Sequence, residues 1–334
     1  MSRLLVFNPD HEYALADGKP YYSAPASISA LAAHLRFLPL FWSCEDDFIL
    51  LPDGRLASAA DCSEVRFIEA ILPKITRIDP WGWNPALSFR LTKLGIDDAL
   101  LPSPEVLAQI KRLAHRRLTI DFNKGMNHSI SPEEFSRLED AMEFYHANPD
   151  CYFKMPWSGG GRGVLDTSEL NALQTEQWLR GALRKQGSIL AERRINSVLN
   201  FASLWDIKEK EVYFYGLSVS LSDGRGKYKG NLSASQADLE SYVRHHTPGF
   251  SMSIIEAQTD LLCRLVAPYY EGKCGIDMMA DADGVIHPCV ELNLRRTMGH
   301  VAVDCANISL ERNSFIRSHV SAPLYPLNND TTIL

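Results

Sequence analysis

Lys154 closes a short apolar run, CYFK, and is followed by MPWSGGGRGV, in which Gly159, Gly160, Gly161 and Gly163 crowd around Arg162. Each ordered glycine costs roughly 0.5–1 kcal/mol relative to alanine in a regular element. A cluster therefore needs a reason, and the usual one is backbone amides approaching an anion, typically a phosphate, too closely for a Cβ. The common phosphate cradles do not fit. A P-loop carries Lys and then Ser or Thr after its last glycine, and here Val164 stands after Gly163. The G-x-G-x-x-G spacing of dinucleotide sites is absent, and in protein kinases the glycines come before the lysine strand rather than after it. A lid between two strands, with the lysine on the entering strand, matches the order.

The second group is Asp277 in GIDMMADADG and Glu291 with Asn293 in VELNLRR. Asp283-Gly284 between these runs predicts a hairpin turn. Glu291 and Asn293 are two apart and so share a strand face, Asp277 lies on the neighbouring strand, and Pro288 predicts a bulge in the pairing. Two carboxylates and an amide oxygen form a hard-oxygen set suited to Mg²⁺, whose shell is completed by water and phosphate oxygens. A cation also relieves the repulsion between the two acids.

These groups need elements to hold them. RLLVFNP (3–9), ASISALAAHL (26–35) and LRFLPLFW (35–42) read as strand, helix, strand; the DFILLPDGRL hairpin, VRFIEAILPKI, DPWGWNPALSFRLTKLGI and a polar helix in SPEVLAQIKRLAHRRLTIDF follow. This alternation predicts a small open α/β domain of roughly 110 residues, with ligands beyond the carboxyl ends of its strands. SPEEFSRLEDAMEFYHANPD (131–150) reads as one helix from its Ser-Pro-acid start to its Asn-Pro stop. From 151 the pattern is strand, glycine loop, strand, helix (175–186) and strand (SILAERRI), then long apolar runs broken by charged or glycine turns, a helix in SMSIIEAQTDLLCRLVAPYY and the terminal hairpin. That is an α+β region rich in antiparallel strands.

The net charge of −7 and pI near 5.8 offer no field for a polyanion, which argues against nucleic acid or an anionic membrane surface and for a small-molecule partner. Seven cysteines without a C-x-x-C pair, and no signal-peptide pattern, predict a reduced cytoplasmic protein. No apolar run reaches the ~18 residues needed to span a bilayer.

The order of Lys154, SGGGRGV, LAERRI, GIDMMADADG and VELNLRRTMGH resembles the ATP-grasp superfamily over about residues 110–310. Its carboxylate-amine and carboxylate-thiol ligases place ATP between two α+β subdomains behind a small pre-ATP-grasp α/β domain. The resemblance implies domains at 1–112 and 113–325, the latter with a lid at about 130–190, and a tail at 326–334. It implies ATP and Mg²⁺, with Mn²⁺ as a substitute, and a ligase that activates a small-molecule carboxylate as an acyl phosphate for an amine or other nucleophile. A small-molecule kinase and a non-catalytic ATP sensor are the alternatives, and a homodimer is one arrangement of the chain. By resemblance Lys154 contacts the α- and β-phosphates, and Ser158, Gly159, Gly160, Gly161, Arg162 and Gly163 form the lid over the β- and γ-phosphates. Arg116 takes the place of an earlier phosphate lysine, beside Arg117. Glu192 and the backbone to Ile195 flank adenine, Asp277, Glu291 and Asn293 bind Mg²⁺, and Arg295 steadies the transferred phosphoryl group. Asn200 stands where an acid for the ribose is usual. His300 matches a histidine of some superfamily members, without a role here. For the acceptor the sequence offers His11 in NPDHEYALA and Lys229 in KYKGN. His11 and Glu12 suit an acid–base pair after the first strand, while Asn8, Pro9 and Asp10 equally suit a capped helix start. Arg193, Arg194, Arg225, Lys227 and Lys229 read first as a solvated basic face.

Overall fold

The computed structural model describes residues 2–58, 65–68, 74–223 and 227–327. Arg225, Cys62, residues 69–73 of VRFIEAILPKI and tail residues 328–334 lie outside them.

The first sheet contains β1 (Arg3–Val6), β2 (Phe48–Leu50), β3 (Leu56–Ser58), β4 (Arg66–Ile68) and β5 (Arg77–Pro80), in the order β4-β3-β2-β1-β5. β1 runs parallel to both β2 and β5, and the β2–β3 hairpin is antiparallel. Helices α1 (His11–Asp17), α2 (Ala26–His34) and α3 (Pro85–Lys93) accompany it. The Asn84 side chain accepts from Leu87 N at 2.9 Å with Pro85 in the first turn, so this Asn-Pro caps α3 as the sequence implies. The earlier Asn-Pro acts differently. Asn8 spans to the far loop, donating to Gly82 O at 2.8 Å and accepting from Gly82 N at 3.3 Å, and Asp10 precedes α1 without a side-chain cap. LRFLPLFW is not a strand: Leu38–Trp42 is a buried 3₁₀ turn with Pro39 in its first turn. Proline has no amide for a ladder, which favours this outcome over a sheet strand.

The polar helix expected near 103–122 is two, α4 (Pro104–Leu113) and α5 (Leu118–Gly125). The break falls at residues 114–117, where Arg116 N donates to Pro156 O at 3.1 Å. The single helix expected at 131–150 is also divided: Glu133–Phe135 forms β6, paired with β9 (Ile189–Arg193), and only Leu138–Ala147 is helical, as α6. Tertiary pairing here outweighs the local Ser-Pro-Glu signal. With β7 (Cys151–Lys154) and β8 (Val164–Asp166) these strands make a second sheet, β6-β9-β7-β8, covered by α6 and α7 (Ala172–Gln186). Phe144, Phe153, Leu179 and Ile189 form its core.

The third sheet, β14-β13-β10-β11-β12-β15, holds β10 (Ser197–Lys208), β11 (Glu211–Ser222), β12 (Tyr228–Ser233), β13 (Gly272–Asp281), β14 (Ile286–Asn293) and β15 (Leu324–Pro326). It is antiparallel except where β15 joins β12 in parallel. α8 (Gln236–His246) and α9 (Met252–Leu265) pack beneath it, around Phe201, Trp205 and Val219. α10 (Met298–Asn307) and α11 (Leu310–His319) connect it to the first sheet: Val301 and Ile316 share one core with Leu5, Phe41 and Trp81. No described helix is long and apolar enough to cross a membrane.

Candidate active site

Strand alternation places Lys154. Cys151 and Phe153 turn into the core of the second sheet, so Tyr152 and Lys154 face outward, and on β9 the same parity gives Glu192. The Lys154 ammonium and Glu192 carboxylate form an ion pair there, each side chain about one-eighth exposed (12% and 13%). β7 and β8 pair with Lys154 opposite Val164, so Met155–Gly163 is the loop of an antiparallel hairpin. Gly160, Gly161 and Gly163 all have left-handed φ, from +61° to +73°. A Cβ would meet nothing at Gly160 or Gly161. At Gly163 it would lie 2.7 Å from the Ser158 Cβ, and at Gly159 2.9 Å from the Glu12 carboxylate.

β13 and β14 place the acids. Asp277 is the direct cross-strand partner of Glu291, and the register then slips so that Met279 faces His287, which puts the irregularity around Pro288. Asn293 Nδ2 donates to Asp277 Oδ2 at 3.0 Å. Burial, and then the charge of Glu291, push the Asp277 carboxyl up to about 7. Two guanidinium groups flank the acids. Arg116, in the break between α4 and α5, pairs with Glu291 at 2.6 Å and donates to Met155 O at 3.0 Å, Ser158 O at 2.9 Å and Ser158 Oγ at 3.1 Å. Arg295 donates to Asn293 Oδ1 at 3.0 Å and Arg296 O at 3.1 Å, and forms an ion pair with Glu12. Burial opposes ionisation of Glu12, but the charge of Arg295, that of His11 and the hydrogen bonds to the carboxylate together outweigh it and hold the carboxyl below the ordinary value.

The result is a ring of neighbouring groups. It runs from Ser158 by hydrogen bond and ion pair through Arg116 to Glu291, across the strand pair to Asp277, by hydrogen bond and ion pair through Asn293 and Arg295 to Glu12, and so to Gly159, where a Cβ would meet the Glu12 carboxylate. Arg162 adds a second tie between the loop and α1 by approaching the Tyr13 hydroxyl. Asn200 occupies the same sheet face as Asp277, because its neighbour two residues on, Ala202, is the register partner of Asp277. The Asn200 Oδ1 is buried and has no hydrogen-bond partner among the described residues, so it suits a ligand donor such as a sugar hydroxyl. Ile195 lies between β9 and β10, half-buried in the segment linking the second and third sheets.

Other candidates fall outside the ring. His11 is 1% exposed against Gly82, where a Cβ would come within 2.5 Å of its ring. Lys229 is exposed on β12, three strands from β13, or about 14 Å at the ordinary strand spacing. Arg193, Lys227 and Lys229 are exposed, as expected of a solvated face, but Arg194 folds back onto Asp150, Tyr152 and Asp166. His300 is wholly buried; its Nδ1 completes a capping box with Thr297 and its Nε2 lies 3.3 Å from Trp205 O. The sequence reading weighed Glu12 only as an acid–base partner of His11 and missed its pairing with Arg295.

No protein-family model matches the sequence, and no curated protein matches it. Solved structures do. N5-carboxyaminoimidazole synthetase from Staphylococcus aureus, complexed with ADP, superposes with a TM-score of 0.52 at 12% identity over 97% of this chain and 79% of its own. The biotin carboxylase–β-γ-ATP complex from Campylobacter jejuni gives 0.51 at 14% identity over 95% and 70%. The biotin carboxylase domain of Hydrogenobacter thermophilus 2-oxoglutarate carboxylase, in complex with MgADP, gives 0.50 at 15% over 73% of this chain, which spans about half (53%) of that one. All three are ATP-grasp enzymes. The chain has the ATP-grasp fold. In ATP-grasp terms the β6–β9 sheet carries the glycine-loop hairpin, and the β10–β15 sheet carries the acids.

The residues fit a divalent cation and a nucleotide. Among the described residues no three His, Cys, Asp or Glu gather as a metal cluster. Two carboxylates with the Asn293 carbonyl oxygen nevertheless suit Mg²⁺, which takes one or two carboxylates and completes its shell from water and phosphates.

Proposed function

We propose that the chain is an ATP- and Mg²⁺-dependent ligase that activates a small-molecule carboxylate as an acyl phosphate for displacement by an amine or other nucleophile. The observation that carries this reading is the ring joining the glycine loop to Asp277, Glu291 and Arg295 through Arg116 and Glu12. Lys154 and the amides of Gly159–Gly163 bind phosphate oxygens, Glu192 and the backbone to Ile195 border the adenine, and Asn200 accepts from the ribose. Asp277, Glu291 and Asn293 hold Mg²⁺, which supplies charge neutralisation on the phosphates. Arg295, fixed by Glu12 and Asn293, is aimed at the phosphoryl group in transit, and Arg116 couples the loop to the metal ligands. Such catalysis works by positioning and preorganised charge. In this reading residues 1–112 form the pre-ATP-grasp domain and 113–325 the ATP-grasp domain with its lid at about 130–190, acting on small molecules in the cytoplasm.

The test is Mg²⁺-dependent release of ADP and phosphate from ATP in the presence of a metabolite pool, beside Lys154→Ala and Glu291→Gln. Each substitution is expected to lower turnover by about 10²–10³. ADP formation without phosphate release would indicate a kinase, and nucleotide binding without turnover a sensor. Absence of Mg-ATP binding would overturn the reading.

A further inference from the structure

β5 lies beside β1 on the side away from β2, and all three strands are parallel, so the chain reverses its direction of travel across the sheet between β1 and β5. Open α/β sheets admit ligands at such a reversal, outside the carboxyl ends of the strands. A cavity of about 430 Å³ opens there, bordered by Asp10, Tyr22, Phe89, Arg90 and Lys93. Its size falls within the ~300–1,000 Å³ of small-molecule sites.

Its two half-buried charges, Asp10 and Arg90, form no ion pair with each other within 4 Å. Asp10 stands at the N-terminus of α1 but its carboxylate caps no helix amide, unlike Asn84 at the start of α3. Among the described residues it has no ion pair within 4 Å. Arg90 gives one nitrogen to Leu51 O at 2.5 Å and Pro52 O at 3.3 Å, and likewise has no carboxylate within 4 Å. Burial pushes the Asp10 carboxyl up and the Arg90 guanidinium down, and the attraction between the two charges offsets this cost only in part. The Tyr22 hydroxyl is also buried, without a hydrogen-bond partner among the described residues. Phe89 and Tyr21 meet edge to face, ring centroids 5.3 Å apart, and Lys93 reaches over the Phe89 ring. Opposite charges facing one cavity, and not paired with each other, match a ligand that carries both an ammonium and a carboxylate.

We propose that this cavity binds the amino-acid head group of one of the two molecules the enzyme joins, its ammonium against Asp10 and its carboxylate toward Arg90 and Lys93. The proposal rests on the ligase reading for its role in catalysis. The link is short, because Asp10 and Glu12 belong to the same turn, and Glu12 holds Arg295 and lies where a Cβ on Gly159 would meet it.

Titration calorimetry on the full chain, with the common L-amino acids added singly, tests it. The tightest binder is then compared with its α-hydroxy-acid analogue, which lacks the ammonium, and its amide, which lacks the carboxylate. Asp10→Asn is expected to weaken the amino acid about ten- to a hundred-fold and leave the hydroxy acid unchanged; Arg90→Gln does the same and leaves the amide unchanged. Lys93→Met, at an exposed side chain, carries the test where the half-buried variants fail to fold. Absence of amino-acid binding, or binding indifferent to all three substitutions, overturns the proposal. Mg-ATP affinity is measured in the same samples. Mg-ATP binding without amino-acid binding removes this site alone, whereas amino-acid binding without Mg-ATP binding removes the ligase reading and keeps the site.

Discussion

Arg295 is held from three directions, by Glu12, Asn293 and the Arg296 carbonyl, so its guanidinium is fixed before any substrate arrives. Removing one partner of a mostly buried pair leaves a charge uncompensated, and such losses are costly. Glu12→Gln is therefore expected to cost about 3 kcal/mol of stability, read by urea unfolding, and to lower kcat more than it raises KM for ATP. A variant with wild-type stability and an unchanged kcat would remove Glu12 from the site. Lys154, Asp277, Glu291 and Asn293 stood out as candidates in the sequence because each sits in a short segment whose spacing has chemical meaning. The role of Glu12 did not, because the local reading pairs it with His11 whereas its partner Arg295 is 283 residues away.

The glycine hairpin is the element in which sequence and geometry meet most closely. Gly160 and Gly163 both have left-handed φ, but only at Gly163 does a Cβ strike a neighbour, Ser158, whose hydroxyl and carbonyl receive Arg116. Gly160→Ala is expected to cost about 1–2 kcal/mol in backbone strain. Gly163→Ala adds displacement of Ser158, and with it loosening of the Arg116 tie. The KM for ATP should rise more for Gly163→Ala, and equal effects in steady-state kinetics would count against the tie. The hairpin itself, the β13–β14 turn and the bulge near Pro288 could be read from glycine and proline alone. The 3₁₀ turn at Leu38–Trp42, the strand Glu133–Phe135 and the break before α5 could not. Each is decided by a distant partner, as when Glu133–Phe135 pairs with β9.

Across the whole molecule, charge groups buried in different layers set the response to acid. Burial pushes His11 and His115 down to about 4, and His300 well below its ordinary value. The unfolded chain takes up these protons near pH 6.5, before the folded one does, so their contribution is fully present above about 6.5 and is lost as pH falls toward 4. Asp277 acts in the opposite sense, since its raised carboxyl favours the fold at low pH and loses that advantage as pH rises from about 4 to about 7. The His11 part is isolated by comparing urea unfolding of the wild type and His11→Gln at pH 5 and pH 7. The wild type is expected to lose more stability on acidification than the variant, and parallel losses would mean that His11 is not held neutral. The alternation of strands and helices showed an α/β unit followed by an α+β unit, but not that α10 and α11 would fasten one to the other through Val301 and Ile316. The ring of neighbouring groups also sets an order of events during synthesis. At about 5–20 residues per second, Glu12 is incorporated roughly a quarter of a minute to a minute before Arg295. A nascent first domain therefore holds Glu12 without its Arg295 partner throughout that interval.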